Sequence, residues 1–113
     1  MGLRKDYDVD TAMSPEVGLT KIRDCGPYTL VVSDLKMPSM DGIDFLIKVK
    51  ELSPNTVRIM LTVFGDNDKA MDSVNRGHIF RFLQKPCPTD VLKSALEDGL
   101  RQYRLILAER DLL

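Results

Sequence analysis

Three residues of this chain could do chemistry together: Asp34, Thr62 and Lys85. Each follows a short apolar run, in Leu-Val-Val-Ser-Asp (30–34), Met-Leu-Thr (60–62) and Phe-Leu-Gln-Lys-Pro (82–86). A carboxylate can attack as a nucleophile. A hydroxyl and an ammonium can bind the oxygens of a phosphoryl group. If the three runs are parallel strands, all three residues stand on one rim of a sheet, where open α/β folds bind their ligands. Taken singly, each has a plain explanation: a turn aspartate, a strand-end hydroxyl, a surface lysine. The argument rests on the set.

The elements that must position them can be read along the chain. Tyr7 to Ala12 alternates like a strand with one covered face. Ser14-Pro15-Glu16 predicts a helix start, with Ser at the cap, Pro in the first position and an acid in the first turn. Val17, Leu19 and Ile22 form its apolar stripe, and Cys25-Gly26-Pro27 stops it. Leu30 to Ser33 reads as a strand. Gly42 to Leu52 reads as a helix capped by Asp41 and ended by Ser53-Pro54-Asn55. Val57 to Leu61 is the next strand. Asp66 to Arg76 is a polar helix closed by Gly77. Phe80 to Leu83 is the last strand, and Asp90 to Leu113 a long helix. Alternation of this kind predicts a parallel sheet with helices on both faces and right-handed crossovers.

Composition narrows the class. The 113 residues suit one domain, 1–113, and 43% are hydrophobic, enough for a core. Sixteen basic and seventeen acidic residues give a formal net charge of -1, which offers no footprint for nucleic acid and no polybasic patch for a membrane. No apolar stretch approaches the roughly 20 residues of a membrane span. The start, Met-Gly-Leu-Arg-Lys-Asp, lacks the apolar centre of a signal peptide. Asp6 stands where N-myristoylation needs Ser or Thr. Cys25 and Cys87 lack metal spacing and read as reduced thiols of a cytoplasmic protein. His78 stands alone, against a histidine metal site.

The motifs Asp34, Met37-Pro38, Asp41-Gly42, Thr62 and Lys85-Pro86 together resemble the receiver domain of two-component response regulators, over essentially the whole chain. The resemblance implies a flavodoxin-like α/β fold. It makes Asp34 the phosphoacceptor, Thr62 the switch hydroxyl, Lys85 the phosphoryl-binding lysine and Phe82 the aromatic switch position. The Lys85-Pro86 bond is then cis. A histidine kinase or phosphotransfer protein is the implied donor, and Mg²⁺ the implied cofactor, held partly by Asp34 and the backbone carbonyl of Lys36. A regulatory module rather than an enzyme is expected. The phrases Arg-Phe-Leu-Gln-Lys-Pro-Cys and Gln-Tyr-Arg-Leu also look like receivers joined to HD-type cyclic-dinucleotide phosphodiesterases.

The sequence departs from the family pattern in several places. The family's first strand, which ends in an acidic pair, and nearly all of its helix have no counterpart in these residues. Leu3-Arg4-Lys5 matches the last turn of that helix. Four strands are therefore expected. Asp6, Asp8 and Asp10 lie along a strand, not at its rim, so they do not replace the pair. Weak Mg²⁺ binding and slow or absent phosphorylation follow. Val63 puts a β-branched residue where Ala or Gly is usual. Unpaired strand edges predict self-association, by exchange of Tyr7 to Ala12 or by closure of that strand onto Leu30 to Ser33. The stripe Leu92, Leu96, Tyr103, Ile106 and Leu113, widened by Leu100 and Leu107, suits a parallel coiled-coil connector; the first half of the helix reads as core and the second half as a dimer or connector surface. An alternative role is a non-phosphorylatable dimerisation or docking module.

Overall fold

The computed structural model describes residues 9–34, 39–62 and 79–112. Within them the elements are α1 (Pro15–Cys25), β1 (Leu30–Asp34), α2 (Gly42–Leu52), β2 (Val57–Thr62), β3 (Arg81–Gln84) and α3 (Thr89–Leu112).

The helix starts follow the capping signals. The Val17 N–H donates to Ser14 Oγ at 3.2 Å, and the Asp44 N–H to Asp41 Oδ1 at 2.9 Å. Each bond satisfies a donor that has no partner within its own helix. Helix α1 ends at Cys25 because Gly26 and Pro27 follow. A Cβ on Gly26 would run into the Ile22 carbonyl oxygen. Both the Gly26-Pro27 and the expected Lys85-Pro86 peptide bonds are cis.

The strands form one parallel sheet in the order β1-β2-β3. Leu30 to Asp34 pair with Val57 to Leu61, and Ile59 to Thr62 pair with Arg81 to Gln84. The last strand starts one residue later than expected, although the Phe80 N–H already donates to the Arg58 carbonyl. Helices cover both faces. On one, Ile22 of α1 and Ile43, Phe45, Leu46 and Val49 of α2 enclose Met60. On the other, Ala95 and Leu96 of α3 cover Ile59 and Leu83. Leu46, Val49, Ile59 and Met60 are wholly buried, and a side chain of this size contributes about 1.5–3 kcal/mol on burial.

Helix α3 runs against the strand direction. It starts just after the C-terminal end of β3, and its Gly99 lies over Leu30 and Val57, the first residues of β1 and β2. A Cβ at Gly99 would sit 2.5 Å from Leu30 Cδ2 and 3.5 Å from Val57 Cγ1. Glycine here lets the helix backbone approach the sheet.

Two expectations change. The sheet has three strands among the described residues, not four. Val9 to Ala12 are not a strand; they are exposed and tied by side chains, with the Tyr28 hydroxyl donating to Asp10 Oδ2 at 2.6 Å and Lys21 Nζ donating to the Thr11 carbonyl. A strand needs a neighbour to bond with, and β1 is an edge with no described strand beside its outer side. On α3 the first half of the stripe is core as expected, with Leu96 buried and Leu92 packed against it, while Leu100, Tyr103, Ile106 and Leu107 are half-buried and Ile106 lies beside Pro54, Val57 and Phe80. Tyr7, Asp8, Leu113 and the proposed Asp66 to Arg76 helix lie outside the described residues.

Candidate functional site

The sheet register sets the rim. Asp34 is the last residue of β1 and pairs with Leu61, so Thr62 stands one residue further out. Thr62 pairs with Gln84, so Lys85 stands one residue beyond that. The three residues thus step across the C-terminal edge of three parallel strands. The backbone fixes the last step, because the Lys85 N–H donates to the Thr62 carbonyl at 2.7 Å.

Side chains complete the arrangement. Lys85 Nζ lies 2.7 Å from Asp34 Oδ1. It reaches across β2 to a strand two positions away, where neighbouring strands are about 4.8 Å apart. The contact is charge-assisted, but its side chains are 42% and 47% exposed. Water screens such a pair, and its net worth is no more than about 1 kcal/mol. The ion pair is therefore easily exchanged. An ammonium next to an accessible carboxylate can hold a phosphoryl oxygen while the carboxylate bonds to phosphorus. Thr62, half-buried beside them, carries a hydroxyl that can do the same.

Phe82 lies deeper. Paired with Met60, it packs half-buried against the core on the α2 face. An aromatic in this place can move only if its neighbours give way, so it is coupled to the core. Lys36, Met37, Pro38 and Val63 lie outside the described residues. Among the described residues, no group of three or more His, Cys, Asp or Glu could hold a metal. At the rim they supply one carboxylate, and one of its oxygens is already paired with Lys85. They do not by themselves fit a Mg²⁺ site, which needs near-octahedral oxygen ligation.

One contact near the rim has no counterpart in the sequence motifs. The Ser39 hydroxyl donates to Glu16 Oε1 at 2.8 Å, tying the first turn of α1 to the segment that follows Asp34. This bond holds the Glu16 carboxyl below its usual range. Glu16 had a sufficient local reason, an acid in the first turn of a helix, which hid its longer reach.

No helix among the described residues is long and apolar enough to cross a membrane.

The geometry agrees with comparisons to known proteins. Transcriptional regulatory protein GlrR of Escherichia coli is 35% identical over 97% of this chain. The chain spans about a quarter of the length of that relative, 25%. A solved structure described as adenylate cyclase from Rhodopirellula baltica is 37% identical, with a TM-score of 0.94 over 98% of this chain and 82% of that one. The signal receiver domain of an HD domain-containing protein from Pseudomonas fluorescens is 30% identical, with a TM-score of 0.81 over 87% of this chain and 78% of that one. That likeness bears out the resemblance to HD-linked receivers. Residues 2–97 match the response regulator receiver domain. The fold is accordingly flavodoxin-like, with the strands of that fold only partly represented among the described residues, and the chain belongs to the response regulator receiver family of two-component signalling.

Proposed function

We propose that this chain is a cytoplasmic phosphoacceptor module, with Asp34 as the acceptor and a histidine kinase or phosphotransfer protein as the donor. One observation carries the reading: the Lys85 ammonium sits 2.7 Å from the Asp34 carboxylate, on a rim that also holds Thr62. In the transfer, an Asp34 carboxylate oxygen bonds to phosphorus. The phosphorus–nitrogen bond of a donor phosphohistidine breaks, and that nitrogen keeps the electron pair. Lys85 leaves the carboxylate and neutralises a phosphoryl oxygen. Thr62 donates to another, and Phe82 follows through the packing it shares with the core. The output is a changed surface around β3 and α3.

Among the described residues the rim supplies one carboxylate, Asp34, which supports slow transfer by these residues alone, because little balances the charge that builds on the phosphoryl group. The backbone carbonyl of Lys36 is the proposed second ligand for Mg²⁺, weakly held. Intact mass after incubation with acetyl phosphate and Mg²⁺ tests the reading. One added phosphoryl group, absent in Asp34→Asn, is the expected result. No addition under forcing conditions overturns it in favour of a module that only docks or assembles.

A further inference from the structure

We infer that the N-terminal rim of the sheet holds a second binding site, remote from Asp34, for a small carboxylic acid with an aromatic or short apolar body. The site is the cavity between the starts of β2 and β3 and the second half of α3.

Its size comes first. The cavity measures about 150 Å³. A cavity of about this volume in a protein interior takes one benzene ring. Val57 opens β2, Phe80 stands one residue before β3, and Ile106 faces them from α3; the three give the cavity an apolar lining. An apolar body gains by leaving water there.

Charge selects the other end of the ligand. Arg58 belongs to the same wall and is only 8% exposed. Its Nη1 donates to the carbonyls of Thr56 and Pro54, which line the cavity too. Those bonds fix the planar group and leave it positive. Arg58 keeps them when the site is filled, and its charge draws the anion. In a wall so poorly hydrated, such an attraction is stronger than in water. One guanidinium balances one negative charge, which favours a carboxylate over a phosphate dianion.

Gln102 supplies a directed contact. It lies one turn before Ile106 on the same side of α3, half-buried at the cavity. Its side-chain amide has no hydrogen-bond partner among the described residues. The amide N–H₂ can donate to a carboxylate oxygen. Thr56 does not compete for this role, because its hydroxyl is already engaged with Tyr28 and Ser53. An occupant therefore touches β2, the approach to β3 and α3 at once, and fastens the far half of the helix to the sheet.

Benzoate is the probe. A ligand of about nine non-hydrogen atoms makes few contacts, so a Kd of about 1 mM is expected. Benzoate is titrated into the full chain, labelled with ¹⁵N, at constant ionic strength, and the amide shifts are followed by NMR. Saturating shifts centred on Val57, Arg58, Phe80, Gln102 and Ile106 are expected. Benzamide, of the same shape without the charge, should bind about tenfold more weakly. Gln102→Leu should weaken benzoate about tenfold, and Gln102→Glu, which keeps the shape and adds a negative charge, should abolish binding. Helical circular dichroism confirms that both variants are folded. No saturation by about 50 mM benzoate overturns the inference. So do shifts centred on Asp34 and Lys85, which would mark a general response to anions. Benzamide binding as tightly as benzoate overturns the role of charge, and an affinity unchanged in both Gln102 variants overturns the assignment to this cavity.

Discussion

The two rims of the sheet are both polar, yet they are built for opposite ends. At the N-terminal rim, Thr56 is almost wholly buried and its hydroxyl is saturated. It donates to the Tyr28 carbonyl at 2.6 Å and shares a second short bond with Ser53 Oγ. Arg58 is buried nearby, with Nη1 donating to the carbonyls of Thr56 at 2.9 Å and Pro54 at 3.3 Å. Burial lowers its pKa, since the charged form gives up water. At the C-terminal rim, Asp34 and Lys85 stay half in water and hold each other by one exchangeable contact. Burial, more than residue type, separates a polar group that fastens the fold from one that can change partners.

Substitutions can break or sharpen that contrast. The largest effect is expected for Lys85→Met. Loss of a positioned charge should slow phosphoryl uptake about a hundredfold, while unfolding in urea shifts by less than about 1 kcal/mol, because the ion pair is half exposed. A large stability loss would place Lys85 with the fasteners instead. Next comes Thr56→Val. It keeps the shape but leaves the Tyr28 carbonyl without this donor, so a loss of about 1–3 kcal/mol in urea unfolding is expected, with phosphoryl uptake unchanged.

Gly99→Ala should cost about 1 kcal/mol. The added methyl meets Leu30 Cδ2, an overpacking cost of about 1–3 kcal/mol, and helix propensity returns about 1 kcal/mol. A stabilised variant would mean that Leu30 yields freely. The smallest effect belongs to the bond between Ser39 and Glu16. A lowered carboxyl pKa favours the fold above the ordinary value of 4.5 and loses that advantage as pH falls through the folded value. Wild type and Ser39→Ala should therefore differ slightly at neutral pH and converge in acid, as followed by thermal melts.

Much of this was legible in the sequence because the signals were local. Ser14 and Asp41 cap the helices they were expected to cap, and α2 spans the expected Gly42 to Leu52. Asp34, Thr62 and Lys85 meet because parallel register turns three strand ends into one rim. What failed was pairwise. Alternation made Tyr7 to Ala12 resemble a strand, but its described part, Val9 to Ala12, forms none, because a strand exists only with a neighbour, and neighbours are not written in a six-residue pattern. The apolar spacing on α3 was legible for its first half, where Leu92 and Leu96 join the core as expected, because that half lies directly over the sheet. The reach of Glu16 to Ser39 crosses 23 positions and leaves no periodic trace.

Helix α3 also gives the molecule leverage. It begins four residues after Lys85 and ends beyond the opposite rim, a rod of about 36 Å resting on the sheet at Gly99. With Gly99 as fulcrum, about 20 Å of rod lies on the far side. A tilt of about 5° about that point moves the far tip by about 1.7 Å. The near arm, from Thr89 to Gly99, is about 15 Å and moves about 1.3 Å in the same tilt, so a shift beside the lysine reaches the other end of the domain undiminished.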